Sequence, residues 1–325
     1  MRMPLRTPPG RRTLVVLLFA AGLGVGLVGG CGSSVGVAGP VPTPLPSPVA
    51  SAAPGTPGSP GPTALPSGPA ASPASSPSPA PTTSVRVYLF APDAAGGDAH
   101  LVPVLRTIPA TRAIATAAVR ELLGGPGGDE PGLLTMIPAG SRLLGITIDG
   151  RTATVDLTGA FESGGGSASM LGRLAQLVYT VTQFPTVDTV RLRLDGQPVD
   201  SIGGEGVMVG AGLGRADAVA SLPAIFVDRP AWGGALPSTS RVSGVANVFE
   251  AQFQLQVLDA AGHILADMPV QAACGTGCWG AFDVGVTYAV ATSQRGTLRV
   301  FDLSAKDGTP ADVRDYPVWL TAAGS

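Results

Sequence analysis

From Gly32 to Ser84 the chain carries no charged residue, and proline recurs from Pro40 to Pro81 among Ser, Ala, Gly and Thr. Such a segment cannot bury enough apolar surface to offset the entropy of ordering it. It therefore reads as a disordered, extended linker that could reach on the order of 150 Å at about 3.1 Å per residue. Any folded core has to be built downstream of it, from residue 85 onward. The segment would hold that core away from whatever lies before it.

What lies before it reads as an export signal. Arg2, Arg6, Arg11 and Arg12 form a positive head, Leu14 to Val28 is uncharged and apolar, and small residues lead to Cys31. A positive head, an apolar middle and a small-residue cleavage site are what the secretion machinery reads. The alternative is an uncleaved membrane-spanning helix, but the run is glycine-rich and borderline against the roughly 20 apolar residues a span needs. Leu27-Val28-Gly29-Gly30-Cys31 resembles a bacterial lipobox. The resemblance implies that Cys31 is the lipidation site and that the signal is cut before it. Two acyl chains on one cysteine meet the two-signal requirement for stable anchoring, so the protein is expected on the extracytoplasmic face of the cell membrane.

Of three cysteines, Cys274 and Cys278 then remain as a pair around Gly275-Thr276-Gly277. An exported protein permits a disulfide here. Free thiols and a zinc site are the alternatives, although zinc needs about four ligands and neither His100 nor His263 is near in sequence. Net charge is −2 and charged residues are 13% of the chain, with no basic stripe, so nucleic acid is not an expected partner.

Hydrophobic periodicity divides the remainder in two. Val85–Phe90 and Leu101–Ile108 read as strands, and Thr111 as the cap of a helix over 112–123 that Gly124-Gly125-Pro126 ends. Strands over 142–148 and 153–157 follow around Asp149-Gly150. Met170, Leu174, Leu177, Val178 and Val181 mark a second helix, capped by Ser167 or Ser169 and stopped by Pro185. A strand over 189–194 ends at Asp195-Gly196. These elements predict an α+β domain over 85–202, a mixed sheet with two helices. Residues 203–222 read as a glycine-rich flexible connector. Its Gly-x-Gly spacings lack the strand-before, helix-after context of a dinucleotide loop, and no cofactor is expected.

Beyond it, Phe249 to Val257 alternates without a break, which places Phe249, Ala251, Phe253, Leu255 and Val257 on one buried face. Further strands are expected over 241–245, 263–267, 284–289, 297–303 and 316–321, giving an all-β sandwich over 223–322. Trp279 and Trp319 are expected in its core. Trp232, beside Pro230 and Gly233-Gly234, is expected to be exposed and is the candidate binding residue.

At this point the residues resemble a known family. Leu101-Val102-Pro103-Val104-Leu105-Arg106-Thr107-Ile108-Pro109, Ile137-Pro138-Ala139-Gly140-Ser141-Arg142-Leu143-Leu144-Gly145 and Thr154-Val155-Asp156-Leu157 are similar to the GerMN domain of sporulation and spore germination proteins. The stretch Arg173-Leu174-Ala175-Gln176-Leu177-Val178-Tyr179-Thr180-Val181-Thr182-Gln183-Phe184-Pro185 is the most specific, and Asp195-Gly196-Gln197-Pro198-Val199 continues it. Val242 to Glu250 and Ser304-Ala305-Lys306-Asp307-Gly308 resemble the immunoglobulin-like domain that often follows. The resemblance implies a cell-envelope protein without catalytic residues.

The residues agree with that implication. There is no Gly-x-Ser-x-Gly elbow. His100 and His263 read as solvated loop residues, and Asp129-Glu130 as a solvated pair in a Gly/Pro loop. Glu250 sits on the polar face of its strand. The expected role is a scaffold or interaction protein that binds other envelope proteins, itself or cell-wall glycan. A ligand-binding module and a regulator of envelope signalling are the alternatives.

Overall fold

The computed structural model describes residues 80–92 and 98–322. The expected export signal, Cys31 and the proline-rich segment up to residue 79 lie outside the described residues. The described residues belong to one compact unit, built as an α+β domain followed by an immunoglobulin-like sandwich.

In the first domain β1 (Thr82–Ala91) and β2 (His100–Pro109) pair antiparallel in full register, Val87 opposite Val104. Helix α1 (Ile114–Leu123) follows, with Thr111 Oγ1 accepting the Ala113 N–H at its entry and Gly124 at its end. Strands β3 (Leu143–Asp149) and β4 (Thr152–Leu157) form a hairpin. Helix α2 (Ser167–Val181) then crosses to β5 (Thr189–Leu194), which pairs parallel to β4. A parallel pair needs such a crossover. The short strand β6 (Gln197–Pro198) closes the four-stranded sheet in the order β3-β4-β5-β6.

The helix α2 is the centre of this domain. Its apolar residues Met170, Leu174, Leu177, Val178 and Val181 are buried as their spacing predicts. Arg173, Gln176 and Thr180 are buried with them, which their polarity alone would not suggest. Each has a hydrogen-bonding reason. Arg173 donates to the carbonyls of Met136 (3.0 Å), Phe161 (2.7 Å) and Gly164 (2.6 Å), tying the loops on either side to the helix. Gln176 Nε2 donates to Tyr88 O (2.9 Å), Thr180 Oγ1 accepts from Tyr88 N (3.3 Å), and the Gln183 amide bridges Arg86 N (2.8 Å) and Arg86 O (2.6 Å). Phe90 continues the row by exchanging backbone bonds with Leu134. The second edge of β1, left open by β2, is thus satisfied by side chains of a helix instead of a strand.

The glycine-rich segment is folded rather than a free connector. Strands β7 (Ser201–Ile202) and β8 (Val207–Met208) form a small hairpin, Val190 and Leu213 exchange backbone bonds, and a 3-10 helix over Arg215–Ser221 follows. Glu205 at the hairpin tip accepts from the Ser167 N–H (3.0 Å) and hydroxyl, so it caps α2 in place of Ser167 or Ser169. A carboxylate there meets the positive end of the helix dipole. A side chain at Gly203 would be strained by its φ of +72°, and its Cβ would lie 2.9 Å from Met170 Cγ, which would have to shift. The glycines serve a tight turn against the helix, which composition alone does not distinguish from flexibility.

In the second domain β9 (Ile225–Arg229), β10 (Ala235–Leu236), β11 (Thr239–Ala246), β12 (Gln252–Leu258), β13 (Ile264–Gln271), β14 (Gly280–Thr287), β15 (Gln294–Leu303) and β16 (Pro310–Leu320) form two sheets. One has the order β10-β16-β15-β12-β13 and the other β14-β11-β9. Phe253 and Phe282 meet between them, edge to face at 4.9 Å. The alternating run starts later than its pattern predicts. Phe249–Ala251 is a 3-10 turn with Glu250 and Ala251 at positive φ, which leaves Phe249 exposed and Glu250 in the turn instead of on a strand. Trp319 is 44% exposed on β16, not in the core. The cysteines Cys274 and Cys278 are joined in a disulfide, with 6.0 Å between their Cα atoms.

Among the described residues no helix is long and apolar enough to cross a membrane.

Candidate functional site: the junction between the two domains

The outer face of the three-stranded sheet is covered along β9, whereas along β14 it stays exposed. On β9, Phe226 is buried against Tyr179 of α2 (ring centroids 5.6 Å) and Tyr88 of β1 (6.5 Å), and the two tyrosines lie 5.4 Å apart. One continuous hydrophobic cluster therefore runs from β1 through β9 into the sandwich.

Two residues further along β9, Asp228 collects the polar groups of this junction. Tyr88 Oη donates to Asp228 Oδ1 at 2.5 Å, Arg215 Nη1 reaches Oδ2 at 3.5 Å, and Arg86 lies 4.0 Å from Oδ1. Arg215 also donates to Tyr88 Oη (3.2 Å) and Thr182 Oγ1 (3.0 Å), and its guanidinium stacks 4.6 Å from the centre of the Tyr179 ring. Burial, with the Asp228 charge adding to it, pushes the Tyr88 hydroxyl up to about 12. Burial likewise raises Tyr179. Both hydroxyls stay protonated at physiological pH. A second set of ties lies beside this cluster. Trp232 N donates to Pro103 O on β2 (2.7 Å), and its indole packs edge to face on Tyr316 at 6.1 Å.

Next to the Arg215–Asp228 pair is a half-open cleft of about 350 Å³. Tyr179, Phe226, Phe282 and Trp279 form its aromatic walls, and Arg215, Asp228 and Ser243 supply polar groups. Trp279 follows directly on the Cys274–Cys278 ring. That loop is held by Thr276 N to Val248 O (2.9 Å), Gly277 N to Asn247 Oδ1 (2.9 Å) and Ala273 N to Ala281 O (2.9 Å).

The residues singled out from sequence fall in several places. Trp232 is half-buried at the junction instead of exposed, because its backbone pairs with β2. Trp279 lines the cleft. His100 is half-buried with Nε2 2.9 Å from Arg314 Nη2, and burial lowers its pKa, so it is not a solvated loop residue. His263 is exposed and pairs with Asp259 at 3.1 Å. Glu130 is not solvated either. It takes Arg106 in a two-pronged pair (2.8 and 2.5 Å) and accepts the Gly127 N–H (2.7 Å), closing the loop after α1. Tyr88, Arg215 and Asp228 carried no sequence signal as a group, since they are far apart in the chain and each is an ordinary residue in its own segment.

Comparison with known proteins agrees with this architecture. Residues 86–200 match the Germane family model, described as sporulation and spore germination. Residues 224–309 match the Gmad2 model, the immunoglobulin-like domain of bacterial spore germination. Among solved structures, the chain is similar to the first GerMN domain of the sporulation protein GerM from Bacillus subtilis, at 24% identity over 41% of this chain and 98% of that one (TM-score 0.34). It is also similar to the tandem GerMN domains of the same protein, at 16% identity over 64% of this chain and 62% of that one (TM-score 0.36). A search of curated proteins found no match. With both domain models matched in the order in which the α+β unit and the sandwich occur, this chain carries a GerMN-type domain followed by an immunoglobulin-like domain of the kind found in bacterial spore germination proteins.

Proposed function

We propose that this chain is a non-catalytic, lipid-anchored protein of the bacterial cell envelope whose two joined domains act as one interaction unit. The observation that carries the reading is the junction itself. Its titratable groups, Tyr88, Arg215, Arg86 and Asp228, direct their hydrogen bonds at one another and at Thr182 across the domain boundary. A general base works best with a pKa near the operating pH, and Tyr88 is held far above it. That use of charge supports a scaffold role over a catalytic one. The anchoring part of the proposal draws on the export signal and on Cys31 within Leu27–Cys31, with the proline-rich segment as the tether. Partners in this reading are other envelope proteins or further copies of this chain.

The test is metabolic labelling of cells with an alkyne fatty acid, followed by crosslinking in intact cells, capture and mass spectrometry. The wild-type chain is expected to carry the label and to crosslink to envelope proteins, and Cys31→Ala is expected to lose both. Equal labelling of the two chains would overturn the anchor. Equal crosslinking would overturn the tethered scaffold.

A further inference from the structure

We propose that the cleft between α2, the 3-10 helix over 215–221 and the outer face of the β14-β11-β9 sheet binds a pyranose ring of an uncharged glycan. Several features of the cleft converge on that class. Its volume of about 350 Å³ lies within the range of small-ligand sites, about 300–1,000 Å³, which occur preferentially at domain interfaces. Trp279, half-buried at the cleft, offers aromatic surface, against which the C–H face of a sugar ring packs through the negative face of the π-system.

The polar groups are arranged for a polyol. The Ser243 hydroxyl lines the cleft and makes no hydrogen bond to protein among the described residues. Asp228 Oδ2 takes only the long 3.5 Å contact from Arg215, so it keeps acceptor capacity. Arg215 has one bond each from Nε, Nη1 and Nη2, which leaves guanidinium N–H groups unused out of five. A donor, an acceptor and a hydroxyl that is both are what neighbouring sugar hydroxyls pair with.

Two competing ligand classes fit less well. A cationic ligand gains little, because two arginines, Arg215 and Arg86, already face the single carboxylate of Asp228. A peptide that binds by adding a strand would need an open strand edge, whereas the cleft lies on a sheet face. The disulfide ring then has a role at this site: it fixes the loop that carries Trp279. The inference goes beyond the tethered-scaffold reading and fails separately from it, since Cys31-dependent crosslinks can persist when no sugar binds.

The experiment is saturation-transfer NMR on the full chain purified in detergent, with the tetramer of β-1,4-linked N-acetylglucosamine and, in parallel, maltotetraose as probes. Saturation of sugar ring protons by at least one probe is expected. Affinity should fall about tenfold in Trp279→Ala and in Ser243→Val, the loss of one aromatic or hydrogen-bonded contact. Should Trp279→Ala fail to fold, Ser243→Val carries the test alone, with an unchanged thermal midpoint as its control. No saturation transfer at millimolar sugar, or variants that bind as the wild type does, would overturn the proposal.

Discussion

Replacing Gln176 by leucine isolates the part of the fold in which a helix stands in for a strand. The side chain is fully buried on α2. Its amide oxygen accepts from Met136 N (2.8 Å) and Thr135 Oγ1 (3.3 Å), while its Nε2 donates to Tyr88 O (2.9 Å). Leucine is of similar size, so little cavity results and the change is chiefly polar. It leaves the Met136 N–H and the buried Tyr88 carbonyl without partners, at about 1–3 kcal/mol each. The added apolar burial returns about 1 kcal/mol. The net loss expected is about 2–4 kcal/mol, or a fall in Tm of about 5–15 °C at about 2–4 °C per kcal/mol for a unit of this size. The matched control is Gln183→Ala. Gln183 makes the equivalent pair of bonds to Arg86 but is only half-buried, so water can replace it and the cost should stay near 1 kcal/mol. Thermal and urea melts of the three chains decide the matter. A drop below about 2 °C for Gln176→Leu, or equal drops for both variants, would refute the account of the β1 edge.

Other substitutions probe the junction and the sandwich. An unfolded tyrosine loses its proton near 10, whereas Tyr88 holds its proton to about 12. The unfolded chain therefore binds fewer protons in that window. Stability is full below pH 10 and falls by about 3 kcal/mol through pH 12 on account of this group; Tyr88→Phe should remove that share of the alkaline loss, as read in urea melts at successive pH values. Gly244→Ala would bring a Cβ within 1.9 Å of Phe226 O and 2.9 Å of Phe282 Cζ, so β9 and β11 must part. We expect a cost of more than about 2 kcal/mol, and a variant as stable as the wild type would contradict the close approach. Arg106→Lys cannot keep the two-pronged contact to Glu130 and should cost about 1–2 kcal/mol in a urea melt. Intact-mass measurement after thiol alkylation under non-reducing conditions should show Cys274 and Cys278 unlabelled; two added labels would rule out the disulfide.

Local pattern was enough for most elements. The 3.6-residue spacing from Met170 to Val181, the alternation of β4 and β5, and the Asp195-Gly196 turn each carry their conformation within a few residues. The two-domain order was legible for the same reason, since a switch from mixed periodicities to strands alone is a property of the string. Where pattern misled, a tertiary contact outweighed it. Phe249 continues an alternation on paper, yet the chain turns at Glu250 and Ala251 with positive φ and begins its strand at Gln252. The glycines from 203 to 214 read as slack, yet they form a hairpin whose Glu205 caps a helix that begins far back in the chain. Glu130 reads as solvated beside Asp129 until Arg106 is brought to it.

The junction depended on tertiary structure altogether. Tyr88, Arg215 and Asp228 acquire their meeting point only when β1, the 3-10 helix over Arg215–Ser221 and β9 pack, and long-range pairing of single polar residues leaves no periodicity to read. The same holds for Gln176, Thr180 and Gln183. Their helical spacing of four and three residues was visible, but spacing gives only a shared face. That the face would meet the backbone of β1 and complete its hydrogen bonding is decided by the path of the whole chain.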